Sequence, residues 1–283
     1  MAAIPAHACD CHVHVVGDSQ RYPMLPDRPY TAGPASIADL RAHLARIGFE
    51  RAVIIQPSFY GVDNQCLLDA LHEMEGNARG IAVAAPSVSD SELKKMDEAG
   101  VRGLRLNLES TGLRDAASLK TTLQKWASRI AGLGWHLQVY AAYPVLKPCL
   151  PWLGALPVPV VIDHFGLVPL NSMDSERDAA ALAQALSDGD LYVKLSGAYR
   201  IPGGTPEGVA QLAQILVTAQ ADKLVWASDW PHTNREPGKA STQVSRFRDV
   251  SAAQLLDEIA QWLHGTDAAR KILSDNPARL YRF

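Results

Sequence analysis

The feature that most constrains this chain is an alternation of short apolar segments with helical patterns, repeated along its 283 residues. The short segments are rich in β-branched and small apolar residues, which is typical of buried strands. They are residues 8–16, 51–56, 80–85, 101–108, 136–141, 158–164, 191–196 and 223–229. Because parallel strands need a crossover connection, usually a helix, the alternation predicts an α/β fold with a parallel sheet.

Eight strand–helix units in a chain of this length predict a (β/α)8 TIM barrel, with residues 1–283 forming a single domain. A doubly wound open sheet is the alternative. A Gly-x-Gly-x-x-Gly turn after a strand would favour that fold, and the sequence has none. Two further helical patterns, 251–263 and 266–274, follow the last strand and predict extra C-terminal helices.

Composition narrows the kinds of partner and compartment. The net charge is −3 without a basic cluster, which argues against nucleic acid and anionic membranes as partners. No apolar run approaches 18 residues, and the N-terminus has no signal-peptide pattern, so we expect neither a transmembrane helix nor secretion. Four cysteines make no disulfide framework and lack zinc-ribbon spacing. We therefore expect a reducing, cytoplasmic compartment.

The first strand carries two histidines, His12 and His14, at positions i and i+2. On a strand this spacing places both imidazoles on one face, about 7 Å apart. Cys9 and Cys11 alternate with them and are predicted to pack on the opposite face. Buried imidazoles need hydrogen-bond partners, so we expect further polar groups to meet this pair.

The C-terminal ends of barrel strands carry the catalytic groups in folds of this kind. Candidate polar residues at these ends, or on the loops that follow, are Tyr30, Ser58, Arg105, Asn107, Tyr140, His164, Ser196, Arg200 and Asp229. The remaining histidines are predicted to lie outside the site. His43, His72 and His264 fall on helical patterns and are expected to be solvated, whereas His7 and His136 start strands at the other end of the barrel.

Several motifs in this order resemble the amidohydrolase superfamily. They are Asp-x-His-x-His at 10–14, Asp-His-Phe-Gly at 163–166, Ser-Asp-Trp-Pro-His at 228–232 and Asn-Pro-Ala-Arg-Leu-Tyr at 276–281. More narrowly, residues 56–64, 104–107 and 196–201 resemble the 2-pyrone-4,6-dicarboxylate lactonase group. These motifs cover nearly the whole chain, so the resemblance implies a barrel enzyme that opens a small carboxylated lactone.

The resemblance also implies roles for the candidate residues. Asp229 would be the general base that activates water, and His12, His14 and His164 would polarise the lactone carbonyl. Substrate carboxylates or other polar groups would be bound by Arg105, Arg200, Tyr140, Tyr30 and Ser58. The partner implied is a small lactone or carboxylate. The sequence makes no prediction of oligomeric state.

A metal is the main alternative at this site. His12, His14, His164 and Asp229 could hold one zinc or manganese ion, as in a metal-dependent decarboxylase or hydrolase of the same superfamily. Metal-dependent members usually add a ligand at the end of strand four or five, where this chain has Arg105 and Tyr140. The lactonase group works without a divalent metal, so we expect no metal and no other cofactor.

The chain departs from the dicarboxylate lactonases in one respect. Those enzymes carry a further basic residue soon after the strand-four arginine, and here only Arg114 is a distant candidate. A monocarboxylate, sulfonated or sugar-acid lactone is therefore an open alternative, as is isomerisation of a lactone on the same framework. A barrel that binds a ligand without catalysis is a third hypothesis, although the strand-one histidines and the strand-eight aspartate are intact.

Overall fold

A computed structural model describes residues 4–108, 116–263 and 267–283. Eight parallel strands lie side by side in chain order: β1 Cys9–Val13, β2 Arg51–Ile55, β3 Ala78–Ala82, β4 Val101–Asn107, β5 His136–Tyr140, β6 Val160–Ile162, β7 Leu191–Ser196 and β8 Leu224–Ala227. The end of β8 then meets β1, because Asp229 N donates to His12 O (3.1 Å) and His14 N donates to Trp230 O (2.8 Å). The (β/α)8 barrel prediction is confirmed.

Helices cover the outside of the barrel. The longer ones are α1 Ile37–Ile47, α2 Gln65–Glu73, α3 Asp90–Glu98, α4 Ala116–Ile130, α5 Ser175–Asp188, α6 Pro206–Gln220 and α7 Ala252–Trp262. Serines at 36, 89 and 251 begin α1, α3 and α7, each with a capping box that satisfies free backbone amides. Among the described residues, no helix has the length and apolar character needed to span a membrane.

Two helical regions are irregular. Residues 143–153 form two single turns, Tyr143–Leu146 and Leu150–Leu153, because their prolines remove helix hydrogen bonds. The last pattern continues beyond residue 274: Ala268–Arg270 leads through a π-helical turn, Lys271–Asp275, into α8, Asn276–Tyr281.

The first strand contains a β-bulge. Asp10 pairs with Ala52 and Val13 with Ile54, so β1 has one more residue than β2 over this stretch. The extra residue lets Cys11 and His12, although adjacent, both face the barrel interior. Cys9 and Cys11 pack there with Ile55 and other apolar interior residues, below the histidines. The prediction that these cysteines lie on the opposite face was wrong, because a strict alternation does not account for the bulge.

Two short strands join loops from opposite ends of the chain. Thr31–Ala32, in the loop after β1, pairs in parallel with Val244–Ser245, in the loop after β8. Thr31 Oγ1 also donates to Ser241 O (2.7 Å). This pairing holds the two loops together beside the C-terminal end of the barrel.

Candidate functional site

A cavity of about 320 Å³ opens at the C-terminal ends of the barrel strands. Its walls include eight of the nine predicted site residues: His14, Tyr30, Ser58, Arg105, Tyr140, His164, Arg200 and Asp229. The ninth, His12, is fully buried beneath it. The structure therefore brings these side chains together at one rim, where the strand ends meet.

Asp229 follows β8 and is fully buried at the floor of the cavity. Its Oδ2 accepts hydrogen bonds from the Tyr199 hydroxyl (2.7 Å) and from Arg200 Nε (2.5 Å). Burial alone would raise the pKa of Asp229, but the positive charge of Arg200 lowers that pKa well below its ordinary value. The carboxylate is therefore ionised at neutral pH.

The second oxygen of Asp229 faces three imidazoles. Oδ1 lies 3.7 Å from His12 Nε2, 4.0 Å from His14 Nε2 and 3.9 Å from His164 Nε2. Within the described part of the chain it has no hydrogen-bond partner. A buried carboxylate oxygen without a partner is costly, so this atom is positioned to accept a hydrogen bond from a bound molecule.

Hydrogen bonds fix the protonation of His14. Its Nδ1 lies 2.8 Å from Ile55 O, and because a carbonyl only accepts, Nδ1 carries the proton. Burial, with Arg105 nearby, lowers the pKa of His14 to about 4, so the ring is neutral at pH 7. Its Nε2 is therefore an unprotonated acceptor.

His12 takes the opposite tautomer. Its Nδ1 lies 3.3 Å from Lys194 Nζ, and a charged ammonium can only donate. Asp163 Oδ1 is also 3.3 Å from this nitrogen, but that oxygen makes no hydrogen bond within the described residues. Burial and Lys194 lower the pKa of His12 well below its usual value, so the ring is neutral. The proton is on Nε2, which faces His14 Nε2 at 3.3 Å.

His164 also lies beside Asp229, with its ring centre 4.8 Å from that of His12. Its Nδ1 is 2.9 Å from Ser196 Oγ, and burial lowers its pKa to about 4. Gly197 permits this approach, because a Cβ there would lie 2.9 Å from His164 Nδ1 and the glycine has φ +58°. Three neutral imidazoles thus surround one carboxylate.

A buried polar network supports His12 from below. Lys194 is fully buried, donates to Gln138 Oε1 (2.8 Å) and lies 3.4 Å from Asp163 Oδ1. The other oxygen of Asp163 accepts from Gln138 Nε2 (3.0 Å) and Arg105 Nε (3.3 Å). The sequence analysis did not select Lys194 or Gln138. In the sequence, the one signal was that Lys194 is a charged residue inside the otherwise mostly apolar segment 191–196.

The upper wall of the cavity contains aromatic and cationic side chains. The Arg105 guanidinium lies 5.4 Å from the centre of the Tyr140 ring, and that ring meets His164 edge-on at 5.3 Å. Tyr30 packs edge-on against Phe59, next to Ser58 in its 3-10 turn. These groups face the same space as Asp229.

Sequence reasoning missed part of the wall. Thr233, Asn234, Arg235 and Arg248 line the cavity from the loop after β8, and Tyr199 bonds Asp229 from beside Arg200. This loop has no strand or helix periodicity, so position along a pattern could not select its residues. Arg114 and His264 lie outside the described residues.

His43 corrects a prediction. It was expected in solvent, but α1 buries it, with its Nε2 3.2 Å from Asp10 Oδ2 and its ring stacked on Trp230. Asp10 also accepts from Ser228 N (2.9 Å) and Ser228 Oγ (2.5 Å), which joins β1 to the end of β8. His72 is exposed, as expected.

Three side chains of the site have the spacing of metal ligands. The donor atoms of His12, His14 and Asp229 lie within 4.8 Å of one another, which is compatible in spacing with one small ion. The hydrogen-bond directions are not compatible, because Lys194 leaves the proton on His12 Nε2, the atom that would have to coordinate. The described cluster therefore matches a metal site in spacing but not in the proton position of His12.

A C-terminal-rim cavity with an ionised buried carboxylate among neutral imidazoles defines the class of protein: a (β/α)8-barrel enzyme of the hydrolytic kind. The chain belongs to the amidohydrolase family, which matches residues 9–283.

Similarity to known proteins indicates which group of enzymes within the family this chain resembles. The chain is 34% identical to a 2-pyrone-4,6-dicarboxylate hydrolase of Comamonas testosteroni, over 98% of this chain and 91% of that protein. It is 30% identical to a 4-sulfomuconolactone hydrolase of Hydrogenophaga intermedia, over 98% of this chain and 89% of that one. A crystal structure of a probable 2-pyrone-4,6-dicarboxylic acid hydrolase from Acinetobacter baumannii, with citric acid bound, superposes with a TM-score of 0.82 at 28% identity, covering 98% and 100% of the two chains. The resemblance stated from the motifs is confirmed.

Proposed function

We propose that this protein hydrolyses the ring ester of a small lactone that carries an anionic group. The observation that carries the proposal is the unpartnered Asp229 Oδ1, which faces neutral imidazoles at the floor of an arginine-lined cavity. The similarity to hydrolases of a pyrone dicarboxylate and a sulfomuconolactone supports the same chemistry.

The first step is the addition of water. A water bound between Asp229 Oδ1 and His14 Nε2 meets two acceptors, since neither atom carries a proton. Asp229 takes the proton as the oxygen attacks the carbonyl carbon. His14 thus positions the water, whereas the family resemblance gave it a role at the carbonyl.

The developing oxyanion needs donors. His12 Nε2, buried beneath the cavity wall and held by Lys194 from behind, directs its proton at His14 in the substrate-free site. We assign this proton to the carbonyl oxygen once a bound lactone replaces that contact, with His164 as the second donor. One preorganised donor of this kind contributes about 3 kcal/mol to lowering the barrier. The ring C–O bond then breaks, and the proton held by Asp229 passes to the leaving oxygen.

The substrate is held by the upper wall. Arg105, together with Tyr30, Ser58 and Tyr140, would bind a carboxylate on the lactone, since guanidinium groups match carboxylates in bidentate geometry. Arg200 already contacts Asp229, and its positive charge would act on both Asp229 and the substrate carboxylate.

The same proposal includes independence from a metal. It rests on the Lys194–His12 contact and on the arginines beside Asp229, all of which disfavour a dication. We expect chelator treatment to leave activity unchanged and elemental analysis to find no stoichiometric zinc or manganese. A bound metal whose removal abolishes turnover would contradict it and favour a metal-dependent amidohydrolase. We also keep the cytoplasm as the proposed compartment, supported by four free cysteines.

The test of the function is Asp229→Asn assayed on 2-pyrone-4,6-dicarboxylate. Removing the base should lower kcat about 10³-fold while circular dichroism stays native. Asp188→Asn, an exposed helical aspartate, is the matched control. Wild-type turnover by Asp229→Asn would remove Asp229 as the base.

Isomerisation of the lactone is the alternative activity for the same site. Analysis of the product distinguishes isomerisation from hydrolysis. Ring opening in ¹⁸O water places label in the product carboxylate. A ring-retaining product without label would replace hydrolysis by isomerisation.

A further inference from the structure

Four arginines face the cavity, and they form two pairs. Arg105 lies in β4 and Arg200 in the turn after β7, whereas Arg235 and Arg248 come from the loop after β8. Asp229 is the one carboxylate on the described cavity wall. Since the histidines there are neutral, the wall carries an excess of positive charge.

The two pairs differ in their partners. Arg105 Nε lies 3.3 Å from Asp163, and Arg200 Nε lies 2.5 Å from Asp229. Within residues 4–108, 116–263 and 267–283, neither Arg235 nor Arg248 forms an ion pair with a carboxylate. The loop pair therefore presents uncompensated charge to the cavity.

Arg248 is held in place although it lacks a counter-ion. Its backbone N donates to His232 O (2.9 Å), its Nη1 donates to Thr233 O, and its guanidinium lies 4.7 Å from the Tyr199 ring centre. These contacts use one side of the guanidinium fork and leave other N–H groups for a ligand. A fixed, partly buried arginine is better prepared to bind an anion than a mobile one.

Arg248 also lies close to Arg200. Both guanidiniums contact the Tyr199 ring, at 4.7 and 5.3 Å from its centre. Partial burial and the charge of Arg200 both lower the pKa of Arg248. An anion bound beside Arg248 would relieve this repulsion, as substrate carboxylates do at paired cationic sites.

We propose that Arg248, assisted by Arg235, is a specificity-determining residue of this chain: it forms an anion subsite on the loop after β8 that binds a second anionic group of the lactone. The inference rests on the proposed lactone hydrolysis. The subsite supplies from the loop after β8 a second basic group, whereas the dicarboxylate lactonases carry one soon after the strand-four arginine, where this chain offers only Arg114 as a distant candidate. The first anion contacts the Arg105 side, and the second contacts the loop pair.

The test compares substrates with one and two charges. Wild type, Arg248→Gln, Arg235→Gln and the double variant are assayed on 2-pyrone-4,6-dicarboxylate and on the two 2-pyrone monocarboxylates. Arg246→Gln is the matched control, because Arg246 lies on the same loop, is exposed and does not line the cavity. For the dianion we expect kcat/KM to fall about 10- to 100-fold in Arg248→Gln, mainly through KM, as loss of a charged hydrogen bond predicts. Turnover of at least one monocarboxylate should change less than threefold.

Two outcomes would overturn the subsite. One is equal loss on mono- and dianionic lactones, which would make Arg248 a general structural residue. The other is no loss in the double variant. Calorimetric binding of the same compounds to Asp229→Asn, with and without Arg248→Gln, separates the two proposals. The protein could bind dianions more tightly than monoanions through Arg248 and yet open none of these lactones. That result would uphold the subsite and reject the hydrolysis.

Discussion

Lys194 Nζ lies 3.3 Å from His12 Nδ1, and this contact decides which nitrogen of His12 carries the proton. The ammonium is fully buried and also donates to Gln138. The same donor-to-acceptor direction continues along the hydrogen-bond chain. His12 Nε2 faces His14 Nε2 as donor, and His14 Nδ1 donates to Ile55 O. A lysine at the centre of the barrel therefore sets the donor and acceptor directions of the candidate site.

Replacing Lys194 by methionine should damage both stability and catalysis. The variant leaves Asp163 with less positive charge around it, so we expect unfolding to become easier by about 3 kcal/mol. Without the cation, the pKa of His12 rises, and the acidic limb of the kcat–pH profile should move to higher pH. Urea unfolding and the pH profile measure the two effects. Lys223→Met, at a more exposed lysine, is the control. A lower stability with an unmoved pH profile would reduce Lys194 to a structural role.

Stability should fall as the solution is acidified from pH 6.5 towards 4. Burial lowers the pKa of His14, His164 and His232 to about 4 and that of His136 to about 3. In this window the unfolded chain binds protons that the folded chain does not, so protons favour unfolding. Each such histidine adds up to about 1.4 kcal/mol per pH unit.

Urea unfolding at several pH values checks this. The slope of stability against pH should decrease by about one proton in His232→Gln and stay unchanged in His72→Gln, whose ring is exposed. Stability that is flat or increases on acidification across this range would contradict the prediction.

Replacing His43 by leucine should lower stability without removing activity. Its imidazole lies 3.2 Å from Asp10, on the outer side of β1, away from the cavity. Loss of that partner should cost about 2 kcal/mol, with kcat within about twofold of wild type. Thermal unfolding and steady-state kinetics measure both, with His72→Leu as the control. A large loss of kcat at unchanged stability would place His43 in the chemistry.

Gly197→Ala should impair the site through a direct clash. The new Cβ would lie 2.9 Å from His164 Nδ1, in addition to the cost of a positive φ. We expect kcat to fall at least 10-fold. Gly76→Ala is the matched control, because its φ is +88° and nothing lies within 4 Å of the added Cβ. Both variants should lose about 1 kcal/mol of stability from the backbone, and similar kcat values in the two would show that Gly197 does not position His164.

The fold and most of the cavity wall could be predicted because they follow from periodicity. Eight strand patterns fix which residues end a strand, and those ends meet in a barrel, so Arg105, Tyr140 and Asp229 were found from position alone. Tyr30 lies in a loop and was found through the family resemblance.

The remaining features depend on three-dimensional contacts that no pattern carries. The bulge in β1 changes which side chains face inward, and the apolar sequence pattern of the strand does not reveal whether a bulge is present. The buried position of His43 depends on how α1 turns against Trp230. Arg248 reaches the cavity because the loop after β8 is held against the loop after β1.

The extra residue in β1 has a consequence for how this site can be altered. Strand length, and not residue identity alone, sets the height of His12 in the barrel interior, so a scan of single substitutions would leave this requirement undetected. Deleting Cys11 would keep both histidines in the sequence and restore strict alternation. His12 would then occupy the position that Cys11 has now, at a different height in the barrel. The number of residues in β1 between Asp10 and Val13 is thus a requirement of the site in its own right, and insertions or deletions in this strand would alter it.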